Sequence, residues 1–333
     1  MKQQLRKEST KVFLFCLLSL TFILAVSLPA SVLVALFQEG VISDTAYSNA
    51  LFWVSFAVPQ GLYPIVSAVI ALCSLVCINK RPSEIVKAKK ARPQTVIALI
   101  AASPFVATAA SLLSDLLSTF IEQLGIPVMD TTGLLTQYLT ESPAYMIISV
   151  ILIAVLPAIC EELIYRGVIQ GFISEYSPLA GIIVSAIVFG LFHGTIEQIP
   201  FAFIFGLYLG FAYAATGSIL VPMFMHFLNN FTSCVMVILS EELENDIYEA
   251  VSGYYTLAVL LLAAASVVAV ACRCLKNKDF RSNYKVPSGT VKCRTALSGV
   301  FTSPGFIVAV AVYILYTVLN VITPFLTSLI GSR

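Results

Sequence analysis

Nine apolar windows, each close to twenty residues long, follow one another near 12–37, 52–78, 95–120, 143–165, 179–195, 199–216, 219–240, 254–272 and 305–328. That is the length an α-helix needs to cross about 30 Å of hydrocarbon. Backbone polar groups at that depth find no water and must be satisfied within the segment itself, as a helix does. The expected fold is an all-α, polytopic membrane helical bundle of eight or nine transmembrane helices. Eight is the number if the stretch 179–216 does not fully cross twice. Hydrophobic residues make up 59% of the chain and charged residues 11%, against about 25% charged in soluble domains. No large soluble domain fits, and no nucleic-acid partner is expected. The bilayer is the partner that composition implies.

Charge fixes an expected orientation. Of 19 Lys and Arg, four fall in Lys2–Lys11, six in Lys80–Arg92 and seven in Arg273–Arg294, leaving Arg166 and Arg333. The stretch Glu241–Glu249 holds five acids and no base. With nine spans all three basic blocks fall on one side, which the positive-inside rule makes cytoplasmic. The N-terminus is therefore expected in the cytoplasm of a cell whose plasma membrane carries the protein. The basic head and following apolar run resemble a signal sequence. The run continues to Phe37, so it reads as an uncleaved first span, the alternative being a cut near Ala30. Organisation divides into N-terminal helices (1–140, three spans), a chemistry-bearing core (141–240) and C-terminal helices with a basic cytoplasmic loop (241–333). The eight cysteines form no CxxC pair and read as small core hydrophobes.

Against this apolar background a few polar residues need a reason. Only two histidines occur, His193 and His226. Upstream lies Glu161-Glu162-Leu163-Ile164-Tyr165-Arg166. On a helix Glu162 and Arg166 are i,i+4 neighbours able to pair. Glu161 points about 100° away, so one carboxylate can be braced while the other faces a cavity as a candidate general base for water. Taken alone, the motif also reads as an interfacial charged cap with Arg166 snorkelling. His226 and Asn230 share a helix face and could donate to a developing oxyanion. His193 could polarise a water with Glu161 or protonate a leaving amine. Glu161, His193 and His226 are also a zinc-type donor set, although HExxH is absent. Serine chemistry lacks a GxSxG context, and Asp115 is the one aspartate well inside a span. Three GxxxG pairs, Gly167/Gly171, Gly190/Gly194 and Gly206/Gly210, read as close helix contacts in the same third of the chain.

Depth supplies a further expectation. If the fourth helix stopped near Glu162, Glu161 would lie at the inner face, with His226 roughly 10 Å and His193 roughly 20 Å inside it. The three meet if one helix runs from about 143 to 173, bent near Pro157.

In order, Glu161-Glu162-x-x-x-Arg166, Phe189-x-x-x-His193 and His226-x-x-x-Asn230 resemble the three-motif signature of the CPBP intramembrane proteases, the CAAX-processing and bacteriocin-processing enzymes also called the Abi family. The resemblance covers about residues 140–240. It implies that Glu161 and His193 activate a water, that His226 and Asn230 form an oxyanion hole, and that Glu162 and Arg166 brace the site. The expected activity is hydrolysis of a peptide bond in a membrane-associated or prenyl/lipid-type peptide or protein, in a cavity open to the cytoplasm. No cofactor is required on this reading; on the metalloprotease reading, zinc would sit on Glu161, His193 and His226. The alternatives are a non-catalytic immunity or scaffold protein that binds a peptide in the same cavity and, less favoured, a transporter, for which no internal repeat is evident.

Overall fold

The computed structural model describes residues 1–38, 52–126, 138–282 and 284–331, with Ala50 and Thr136; Arg333 lies outside them. Among the described residues, besides the short helices Pro82–Ile85 and Lys278–Ser282, ten longer helices succeed one another: α1 (Lys2–Gln38), α2 (Phe52–Cys77), α3 (Pro93–Gln123), α4 (Pro143–Ser174), α5 (Pro178–Phe192), α6 (Gln198–Thr216), α7 (Leu220–Glu242), α8 (Asn245–Lys276), α9 (Cys293–Phe301) and α10 (Pro304–Gly331). No strand occurs among the described residues, only an isolated bridge between Ala88 and Ser218.

Local sequence sets the ends. Pro93, Pro143, Pro178 and Pro304 each open a helix, where a missing N–H costs nothing and φ is already helical. Ser142 and Ser177 cap α4 and α5 through their side-chain oxygens, accepting from the amides of Tyr145 and Ala180. Gly217 (φ +61°) ends α6 in the left-handed region, where a Cβ would be strained. Gly194 (φ +66°) does the same just past α5. Gly194 thus serves a turn, not the helix contact expected of its pair with Gly190.

Among the described residues six helices are long and apolar enough to cross a membrane, namely α2, α3, α4, α6, α7 and α8, with α9 and α10 a seventh if their 69° bent pair counts as one span. Helices occupy all nine windows, and the six or seven counted among the described residues by length and composition do not extend to the expected eight or nine. The shortest, α5, has 15 residues and rises only about 22 Å. Large apolar side chains face outward on the long helices: Leu112 and Leu116 on α3, Leu261 and Val267 on α8, and Ile314 and Leu315 on α10 are each roughly half exposed or more. Such surface suits lipid tails.

The centre of the molecule is α4, which packs against α2, α5, α6 and α7. Its 32 residues extend about 48 Å, so it continues a further three turns past Glu162, as the depth argument requires. Ile164 through Ile173 are buried without exception. Two stretches of α4 are π-helical, Ile151–Val155, just before Pro157, and Leu163–Gln170, just after the Glu pair. Wider turns of this kind often mark functional positions.

Candidate active site

One face of α4 carries Glu162, Arg166 and Gln170, spaced four residues apart. All three are buried, and the side chains of Glu162 and Arg166 are 0% exposed. Arg166 Nη1 donates to Glu162 Oε1 at 2.6 Å, and Nη2 donates to the Gly206 carbonyl at 3.0 Å. One turn on, Gln170 Nε2 donates to the Gly210 carbonyl at 2.8 Å. These two rungs require bare glycine on α6. A Cβ on Gly206 would meet the Phe189 ring at 3.0 Å and Arg166 Nη2 at 3.3 Å, and one on Gly210 would meet Gln170 Oε1 at 2.9 Å. The Gly206/Gly210 pair is therefore a backbone docking strip for polar side chains. Phe189 closes the group, with Arg166 Cζ 4.4 Å above its ring, a cation–π contact strengthened by desolvation.

His226 on α7 lies between the two carboxylates. Its Nδ1 is 2.9 Å from Glu162 Oε1, and its Nε2 is 4.0 Å from Glu161 Oε2. Glu162 is paired with the guanidinium and acts as acceptor, so His226 Nδ1–H donates and Nε2 keeps a free lone pair. Glu161, on the adjacent face of α4, is 15% exposed. His193 follows α5. Its Nδ1–H donates to the Phe189 carbonyl at 2.8 Å, which likewise leaves Nε2 as an acceptor. The Phe189 ring touches both imidazoles edge-on, with centroids 4.8 Å from His193 and 5.8 Å from His226. Asn230 Nδ2 donates to the Ile153 carbonyl in the first π-helical stretch of α4 at 2.9 Å.

Residues 143–232 match the family model described as type II CAAX prenyl endopeptidase Rce1-like. This stretch is similar to the core of that family. The match begins at the first residue of α4, ends within α7 and contains all seven motif residues. No curated protein and no solved structure matches the chain.

Within this stretch the sequence-derived residues gather as expected in one respect and differently in another. Glu162 and Arg166 pair at i,i+4, with Glu161 on another face. Glu161, however, faces His226, whereas the sequence paired it with His193. Asn230 spends its amide on α4 and does not present it beside His226. The donor set Glu161, His193 and His226 does not converge either: no group of three His, Cys, Asp or Glu is placed to hold a metal ion among the described residues. Sequence reading named Phe189 as a motif position without a role for its ring, and missed Gln170 and the glycine carbonyls. Gln170 was legible in principle, since it continues the spacing of Glu162 and Arg166 by one turn.

Proposed function

We propose that the chain is an intramembrane endopeptidase in which Glu161 and His226 hold and activate the hydrolytic water. The observation that carries this reading is the 4.0 Å gap between Glu161 Oε2 and His226 Nε2. Both atoms are acceptors when Nδ1–H of His226 donates its hydrogen bond to Glu162. A direct hydrogen bond at 4.0 Å is too long, whereas one water about 2.8 Å from each acceptor closes the triangle. That water donates both hydrogens inward and turns its lone pairs outward.

The reaction then follows from these positions. The water oxygen attacks the scissile carbonyl carbon as Glu161 accepts one of its protons. Negative charge gathers on the carbonyl oxygen, and the Asn230 amide can meet it by exchanging the Ile153 carbonyl for the substrate's. Collapse re-forms the carbonyl and breaks the C–N bond, and the proton held by Glu161 passes to the departing nitrogen. His193 Nε2 offers an acceptor to an amide N–H of the substrate. Glu162, held by Arg166, fixes the tautomer and ring plane of His226. The family description supports a peptide substrate at the membrane, and a lipid-modified peptide presented from the cytoplasmic side is the class we favour.

The test is cleavage of membrane-presented peptides by wild type and Glu161→Gln. Loss of about 10²–10⁴-fold in kcat is expected for a displaced general base, with the protein still folded. Wild-type turnover by Glu161→Gln would overturn the mechanism and favour a non-catalytic peptide-binding role for the same residues.

A further inference from the structure

A cavity of about 370 Å³ lies between α3, α7 and α8 and is lined by Ser103, Thr108, Ser111, Asn229, Thr232 and Tyr255 among others. None of its lining residues is charged, and all of them belong to helices read as membrane spans. Hydroxyls on helices in this protein usually return their proton to the carbonyl four residues back: Thr119 to Asp115 on α3 itself, Thr216 to Ala212 and Thr256 to Ser252. Ser103, Thr108 and Ser111 make no hydrogen bond among the described residues. Ser103 is only 4% exposed, Thr108 is half-buried and Ser111 is exposed, and all three line the cavity. A hydroxyl held away from water without a partner costs about 1–3 kcal/mol, and a lipid tail cannot supply one, whereas water in the cavity can. Its volume accommodates roughly a dozen waters at about 30 Å³ each.

The chamber is also connected to the site. Asn229 Nδ2 donates to Asn230 Oδ1 at 3.1 Å, and Asn230 Nδ2 donates to Ile153 of α4. Asn230 lies one turn from His226. The two asparagines thus form a polar bridge from the chamber to α4, one turn from the imidazole that faces Glu161. We propose that this chamber is a water-binding site that supplies the hydrolytic water, with Asn229 as a positioning residue between chamber and site. The supply role rests on the hydrolase reading above; the hydration does not.

Two readouts separate these. Hydroxyl-radical footprinting in lipid bilayers, with radicals generated from water, reads hydration without any activity. Met236 lines the chamber, whereas Met225 on the same helix is 0% exposed. Oxidation of Met236 to the sulfoxide should exceed that of Met225, and Thr232→Leu should suppress it. Equal oxidation of the two would overturn the proposal. In the cleavage assay, Thr232→Leu should lower kcat about tenfold at constant KM, whereas Thr232→Ser should match wild type. Ala107→Leu fills the same space from α3 and serves if Thr232→Leu fails to fold. An unchanged kcat would overturn the supply role. A raised KM at constant kcat would make the chamber a peptide subsite instead and would equally overturn it. If no peptide is cleaved by wild type, the hydrolase reading fails while the footprint still decides hydration.

Discussion

Replacing Arg166 with methionine should be among the most damaging single changes in the chain. The guanidinium makes the 2.6 Å ion pair with Glu162, the 3.0 Å bond to the Gly206 carbonyl and the contact with the Phe189 ring. Both charged side chains are fully enclosed. Removing one partner of a buried pair leaves an uncompensated charge, at about 3–5 kcal/mol. Replacing both removes that charge, so Glu162→Leu with Arg166→Met should recover most of the loss. What the double variant does not recover is the acceptor for His226 Nδ1, so its cleavage should stay near zero. Stability is read as unfolding free energy in mixed detergent micelles, and activity on the membrane-presented peptide. The reasoning fails if Arg166→Met costs less than about 1 kcal/mol, the range of an exposed pair. It also fails if the double variant is as unstable as Arg166→Met, because uncompensated burial would then not be the source of the damage.

Gly210→Ala should destabilise by about 1–3 kcal/mol, as overpacking does, since the new methyl meets Gln170 Oε1 at 2.9 Å; a two-residue suppressor, Gly210→Ala with Gln170→Ala, should ease it in the same unfolding assay. Purified protein soaked with a strong chelator should retain cleavage if Glu161 and His226 act as described, and restoration of lost activity by added zinc alone would refute that. His193→Gln should keep the fold and lower cleavage, measured against the same peptide, because its side-chain amide reproduces the bond to Phe189 less well and withdraws the ring acceptor. At the end of α2, Lys80 lies 2.8 Å from Glu175, and that carboxylate holds the ammonium above its ordinary range near 10.5. A raised folded-state value means the pair's contribution, under about 1 kcal/mol at this exposure, is complete below pH 10.5 and fades as pH rises beyond it, visible in a pH series of unfolding midpoints on wild type and Lys80→Ala.

The helices and the core residues were legible because both signals are local. An apolar window needs no knowledge of its neighbours, and the spacing Glu162-x-x-x-Arg166 specifies a contact within one helix. Even the length of α4 followed, because three residues of known depth had to meet. The pairing of Glu161 with His226 was not legible: which imidazole faces which carboxylate depends on the rotation of α7 against α4. That rotation is fixed by contacts such as Asn230 to the Ile153 carbonyl, and a backbone carbonyl carries no signature in sequence. How far each window reaches is not set by its apolarity alone. The window 179–195 is as greasy as its neighbours, yet Gly194 turns the chain after a helix of 15 residues.

The two rungs between α4 and α6 also limit how this stretch can change over generations. Arg166 and Gln170 meet Gly206 and Gly210 because both helices count in fours. One residue inserted or deleted between Glu162 and Gln170 would swing everything beyond it by about 100° and unhook at least one rung. Point replacements elsewhere on α4 leave the count intact. Length variation among descendants of this chain should therefore collect in the connecting loops, with none between Glu162 and Gln170.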